Sequence, residues 1–168
     1  MKKIGFFGGS FDPIHFGHLH LAIEMYEKHG LDEVLFCPAF CSPFKKDQPP
    51  IASAHQRVEM LRLALEDLPQ FRICTLEIER KGPSYTIDTL NMLPKAHYFF
   101  ILTKESAASF SKWKNPEEIR QKAELLIGER EFPISSTMVR ERLKKRLYCG
   151  HLVPAKALDY NEQHRVYF

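Results

Sequence analysis

Apolar residues recur along this chain in two periods. Ile4-Gly5-Phe6-Phe7, Glu33-Val34-Leu35-Phe36-Cys37-Pro38, His97-Tyr98-Phe99-Phe100-Ile101-Leu102 and Glu124-Leu125-Leu126-Ile127-Gly128 are short, nearly continuous apolar runs. Such runs predict strands buried on both faces. Phe71-Arg72-Ile73-Cys74-Thr75-Leu76-Glu77-Ile78 alternates instead and predicts a third strand in chain order, less buried than the others. Helical spacing fills the gaps. Leu19 to Lys28 forms an amphipathic run that Gly30 should end, and Val58, Leu61, Leu65 and Leu68 make an apolar stripe up to Pro69, behind a capping box at Ser53-Ala54-His55-Gln56.

Further helix starts are written in the same chemistry. Asn115-Pro116-Glu117-Glu118 offers a cap, a first-turn Pro and acids at the N-terminus; Ser84 is placed to cap a short helix through Leu90. Ser135 or Ser136 caps a helix with Val139, Leu143 and Leu147 on its apolar side, and the stretch from Leu152 predicts one more short helix ending near Tyr160. Strands alternating with helices predict an α/β fold: a Rossmann-like domain over residues 1–168, with a mostly parallel sheet, helices on both faces and a small helical C-terminal part. The Pro-rich loop from Ala39 to Ile51 falls at the C-terminal edge of that sheet, where ligand loops gather.

Composition narrows the class. A chain of 168 residues with 44% hydrophobic and 27% charged residues has the make-up of a soluble globular protein, with no apolar run approaching a membrane span and no signal-peptide core, so the cytosol is expected. A net charge of +3 does not call for nucleic acid, and the basic run Arg140 to Arg146 reads as a solvated helix face plus one phosphate contact. Cys37, Cys41, Cys74 and Cys149 lack metal-ligand spacing and read as reduced thiols, and no metal ligands are expected from the chain.

The chemistry concentrates in Gly8-Gly9-Ser10-Phe11-Asp12-Pro13-Ile14-His15-Phe16-Gly17-His18, between the first strand and the first helix. Gly8 and Gly9 are expected to supply unusual backbone angles and close approach, and the helix start supplies free N–H groups and a positive dipole end. His15 and His18 are spaced to share one face and form a donor pair for an anion. A second anion site is written in Ile134-Ser135-Ser136-Thr137-Met138-Val139-Arg140, where hydroxyls, N–H groups and an Arg meet at a helix start.

Together these strings resemble the nucleotidyltransferase superfamily, and Gly-Gly-Ser-Phe-Asp-Pro-Ile-His resembles in particular the bacterial nicotinate mononucleotide adenylyltransferases. The resemblance implies AMP transfer from ATP to nicotinate mononucleotide in NAD biosynthesis, with Mg²⁺ accompanying ATP and the pyridine mononucleotide as second substrate. It implies catalytic roles for His15, His18 and Arg140, and ATP contacts from Gly8, Gly9, Ser10, Phe11, His15, His18, Glu105, Ser135, Ser136, Thr137 and Arg140. Ser84-Tyr85-Thr86-Ile87-Asp88-Thr89-Leu90 is similar to the family's Tyr-Thr-x-x-Thr-Leu segment, so the resemblance implies Thr86 on the mononucleotide; it implies Lys45 there through the likeness of Pro43-Phe44-Lys45 to Pro-His-Lys, and the single Trp113 through its place where the family sets an aromatic against the pyridine ring. Tyr85 and Asp88 read as fold residues, and Arg57 as structural or orienting.

Three departures from the family stand out. Thr103-Lys104-Glu105 replaces Gly-Ala-Asp, Phe44 replaces the His of Pro-His-Lys, and the stretch between Ile127 and Ile134 is short where the family carries adenine-side structure. A pantetheine-phosphate adenylyltransferase and a non-catalytic nucleotide-binding homologue remain open as alternatives. So do the monomeric and homo-oligomeric states and the choice between acid and amide mononucleotides. A membrane or nucleic-acid partner is not expected.

Overall fold

Among the described residues five strands, β1 (Lys3–Gly9), β2 (Glu33–Pro38), β3 (Phe71–Ile73), β4 (His97–Thr103) and β5 (Ala123–Gly128), form one sheet in the order β3-β2-β1-β4-β5. Every pairing is parallel. The computed structural model describes residues 1–128 and 133–168. The connecting helices are α1 (Phe16–His29), α2 (Ala54–Ala64), α3 (Leu76–Arg80), α4 (Thr86–Met92), α5 (Lys104–Ala108), α6 (Pro116–Lys122), α7 (Ser136–Lys144) and α8 (Ala155–His164).

Strand alternation sends side chains to two cores. Phe7, Phe36, Phe99 and Ile101 pack on one face with Leu21 and Met25 of α1, Leu61 of α2, Val139 of α7 and Ala157 of α8. Ile4, Phe6, Phe100 and Leu102 pack on the other with Ile87 and Leu90 of α4, with Ile119 of α6 and with Phe110 from the turn that precedes it. Burial on both faces is what makes the runs continuously apolar. Chain order reverses direction at β1, which pairs with β2 on one side and β4 on the other, so the crevice beyond their C-terminal ends is the natural ligand position.

Several predicted elements differ from the observed ones. The third strand stops at Ile73, and Leu76 to Arg80 turn into α3. The alternation there is a helix with Glu77 inward, its carboxylate accepting from Thr89 Oγ1 at 2.8 Å. Helix α2 ends at Ala64, although Leu65 and Leu68 still pack on the core; its capping box is present, with Ser53 Oγ accepting from Gln56 N and Gln56 Oε1 from Ser53 N. Asn115 precedes α6 at φ 50° without capping it, and donates to Glu118 Oε2 instead. Ser84 does not cap α4. Its hydroxyl accepts from Phe40 N at 2.9 Å and so ties the loop after β2 to the loop before α4. Helix α8 runs past Tyr160 to His164. Residues 129–132, the centre of the short stretch after Ile127, lie outside the described residues. Among the described residues no helix is long and apolar enough to cross a membrane.

Candidate active site

At the end of β1 the chain turns through Ser10, Phe11 and Asp12, with a cis Asp12–Pro13 peptide, into α1. The left-handed backbone in this turn belongs to Phe11 at φ 47°, whereas Gly8 and Gly9, expected to carry it, are extended strand residues. What Gly9 supplies is space: a Cβ there would stand 3.3 Å from the Phe11 ring. Phe11 is only 1% exposed, and its ring meets Phe7 edge-on, so the ring packs into the core rather than standing free for a ligand.

His15 is the residue before α1, not its first turn. The two histidines cap each other: His15 Nδ1 accepts from His18 N and His18 Nδ1 accepts from His15 N at 3.2 Å. Their rings stack with centroids 3.7 Å apart. With each Nδ1 accepting a main-chain N–H, the neutral rings carry their protons on Nε2. Gly17 completes the unit, because a Cβ on it would approach the His15 ring to 3.0 Å.

The second motif is latched onto the first across more than a hundred residues. Ser136 Oγ donates to the Pro13 carbonyl at 2.8 Å and Arg140 donates to the Asp12 carbonyl at 2.8 Å, while Ser135 Oγ caps α7 by accepting from Met138 N. Two helix N-termini thus open on the same crevice, and their dipoles favour an anion between them.

That crevice consists of two adjoining cavities. The larger, about 590 Å³, is lined by Gly8, Gly9, Ser10, Phe11, His15, His18, Ser135, Ser136, Thr137 and Arg140 among others. The smaller, about 360 Å³, takes in Thr86, Tyr85 and Lys114. Lys45, Glu105 and Trp113 line both. Every residue singled out from the sequence therefore reaches one cavity or the other. Trp113 has one side on the core, 5.5 Å from Phe100 and 5.6 Å from Phe110, and Phe44 stands 5.9 Å away across the smaller cavity. Thr103, where the family has Gly, caps α5 by accepting from Ser106 N, and so places Glu105 on the shared rim.

Four residues support the site from behind: Arg57, read from the sequence as structural or orienting, and Asp12, Tyr167 and Glu77, which the sequence reading did not assign to it. Arg57 is 1% exposed and donates to the carbonyls of Ser10, Ala39 and Ala52, joining the β1–α1 loop to both ends of the β2–α2 loop. Asp12 is buried and accepts from Ile51 N, Ala52 N and Tyr167 Oη. Tyr167 lies in no motif. Glu77 lines the smaller cavity, and burial pushes its carboxyl above the ordinary range against hydrogen bonds from Thr89 and Ser84. The local signal for Asp12 was only its polarity within the first motif; Tyr167 had none.

The fold and sequence have known counterparts. The cytidylyltransferase-like family model matches residues 6–142. The nicotinate-nucleotide adenylyltransferase of Bacillus subtilis is 38% identical, over 99% of this chain and 99% of its own length. The structure of a Plasmodium falciparum nicotinic acid mononucleotide adenylyltransferase complexed with NaAD superposes with a TM-score of 0.78 at 18% identity, covering 99% of this chain and 98% of that one. A second structure of that protein, complexed with APC, gives a TM-score of 0.76 at 17% identity, with 99% and 98% covered.

Proposed function

Because the chain belongs to the cytidylyltransferase-like family, and within it to the nicotinate-nucleotide adenylyltransferases, we propose that it transfers AMP from ATP to nicotinate mononucleotide, giving deamido-NAD and pyrophosphate. The observation that carries this reading is the pair of adjoining cavities, one rich in anion donors and the other aromatic, with a shared wall. The triphosphate occupies the larger, between the His15–His18 pair and the start of α7, with Arg140 on the departing phosphates. The mononucleotide occupies the smaller, its pyridine ring against Trp113, its nicotinate group at Thr86 and its phosphate reaching Lys45 at the shared wall.

The chemistry asks little of the protein beyond placement. The attacking phosphate oxygen is already ionised near neutral pH, so no general base is needed; it bonds to the α-phosphorus of ATP as the bond to the pyrophosphate oxygen breaks. Holding the reactants in line is worth up to about 7–11 kcal/mol of barrier. Donors placed where charge develops add to this, each worth about a hundredfold to a thousandfold in rate. The Nε2–H groups of His15 and His18 and the Arg140 guanidinium are such donors, and the reciprocal caps hold the imidazoles without reorganisation.

Magnesium fits this cleft as a companion of the triphosphate. Among the described residues no three His, Cys, Asp or Glu side chains are grouped to hold an ion, and Asp12 accepts three hydrogen bonds of its own. Glu105 is the other carboxylate lining the larger cavity. An ion held by phosphate oxygens and water, with Glu105 beside it, would neutralise charge on the leaving group.

Pyrophosphate release tests the proposal, with ATP and Mg²⁺ and three acceptors in parallel: nicotinate mononucleotide, nicotinamide mononucleotide and phosphopantetheine. Turnover with the nicotinate compound at the highest kcat/KM is expected. A preference for phosphopantetheine, or release with none of them, contradicts it.

A further inference from the structure

Tyr167 is 1% exposed, and its hydroxyl reaches Asp12, 155 positions away, donating to Oδ1 at 2.6 Å. The same oxygen accepts from Ala52 N at 3.0 Å, and Oδ2 accepts from Ile51 N at 2.9 Å. On its other side Oδ2 stands 3.8 Å from the Arg140 guanidinium, which hydrogen-bonds the Asp12 carbonyl rather than the carboxylate. Asp12, Ile51 and Arg140 all line the larger cavity.

A buried carboxylate at the edge of an anion site is a hazard. It repels phosphate and competes for the cation meant to bind it. Three neutral donors spread the Asp12 charge, two of them on Oδ1, away from the oxygen that faces Arg140, and the shortest of the three comes from Tyr167. We propose that Tyr167 is a positioning residue of the ATP half of the site: through Asp12 it keeps Arg140 free for phosphate and the Ile51–Ala52 segment in place. This rests on the proposed function, since it takes the larger cavity as the triphosphate site. Without the hydroxyl, Oδ1 keeps one donor, and the less dispersed charge closes on Arg140 in competition with the nucleotide.

Tyr167→Phe keeps the buried ring and removes only the hydrogen bond. Its steady-state constants for both substrates, thermal unfolding and calorimetric binding of α,β-methylene-ATP are compared with wild type. The KM for ATP and the Kd of the analogue should each rise roughly fivefold, the net worth of one such bond, with the KM for nicotinate mononucleotide within about twofold. ATP constants unchanged in Tyr167→Phe, or constants for both substrates rising together, overturn the assignment. If the wild type releases no pyrophosphate, the proposed function fails, while an unchanged analogue Kd in Tyr167→Phe would separately overturn this inference.

Discussion

Replacing Arg57 with Met keeps the length of the side chain and removes its guanidinium. In the wild type that group donates to the carbonyls of Ser10 and Ala39 at 2.7 Å each and of Ala52 at 3.3 Å. Bonds from a charged donor contribute about 1.5–3 kcal/mol each, and carbonyls left buried without a donor carry a similar penalty. Opposing this is the desolvation of the cation, which lowers the Arg57 pKa from its ordinary value in spite of Asp12 nearby. The Met side chain recovers about 1–2 kcal/mol by apolar burial. The balance is a loss of about 3 kcal/mol, in the range for breaking a buried charged contact. For a chain of this size that lowers Tm by about 6–12 °C. Urea unfolding and calorimetry measure the loss, and steady-state kinetics report its reach. Since the two loops border both cavities, KM should rise for both substrates. A loss below about 1 kcal/mol refutes the clamp, and a full loss with both KM values unchanged refutes its link to the site.

Three further outcomes are expected. His18→Ala should lower kcat about a hundredfold or more and cost about 1 kcal/mol of stability through the broken cap; unaltered kcat in pyrophosphate release would remove His18 from the reacting groups. Trp113→Leu should raise the KM for nicotinate mononucleotide about two- to tenfold, matching lost ring contact of about 0.5–1.5 kcal/mol, with the KM for ATP less affected; the reverse pattern in steady-state kinetics would assign Trp113 to the nucleotide instead. Burial raises the Glu77 carboxyl, so the folded chain keeps a proton that the unfolded chain releases, and this group makes stability fall as pH rises through the ordinary carboxylate range. Glu77→Gln should flatten that fall in urea titrations between about pH 4 and 7, and an unchanged slope would contradict it.

How much of this was written locally in the sequence depends on the kind of residue. The buried strands were legible because parallel sheets leave no solvent face, and the caps at Ser53 and Ser135 because capping chemistry is read within four residues. The alternation from Cys74 to Ile78 misled because Glu77 looks like a solvent-facing strand residue, and only its pairing with Thr89 makes it an inward one. The left-handed residue of the first loop was assigned to glycine, whereas Phe11 holds it through ring packing that no local pattern encodes. Both anion motifs were visible, but their joining through Ser136, Pro13, Arg140 and Asp12 is tertiary. Tyr167 shows the limit most clearly, since a lone Tyr beyond the last predicted helix carries no sign of its partner.

The account rests most directly on dinucleotide formation. Purified protein incubated with ATP, Mg²⁺ and nicotinate mononucleotide, with products separated by chromatography and weighed by mass spectrometry, should give deamido-NAD and pyrophosphate in equal amounts. ATP consumed to ADP and phosphate, or bound ATP with no dinucleotide over many turnover times, would contradict it.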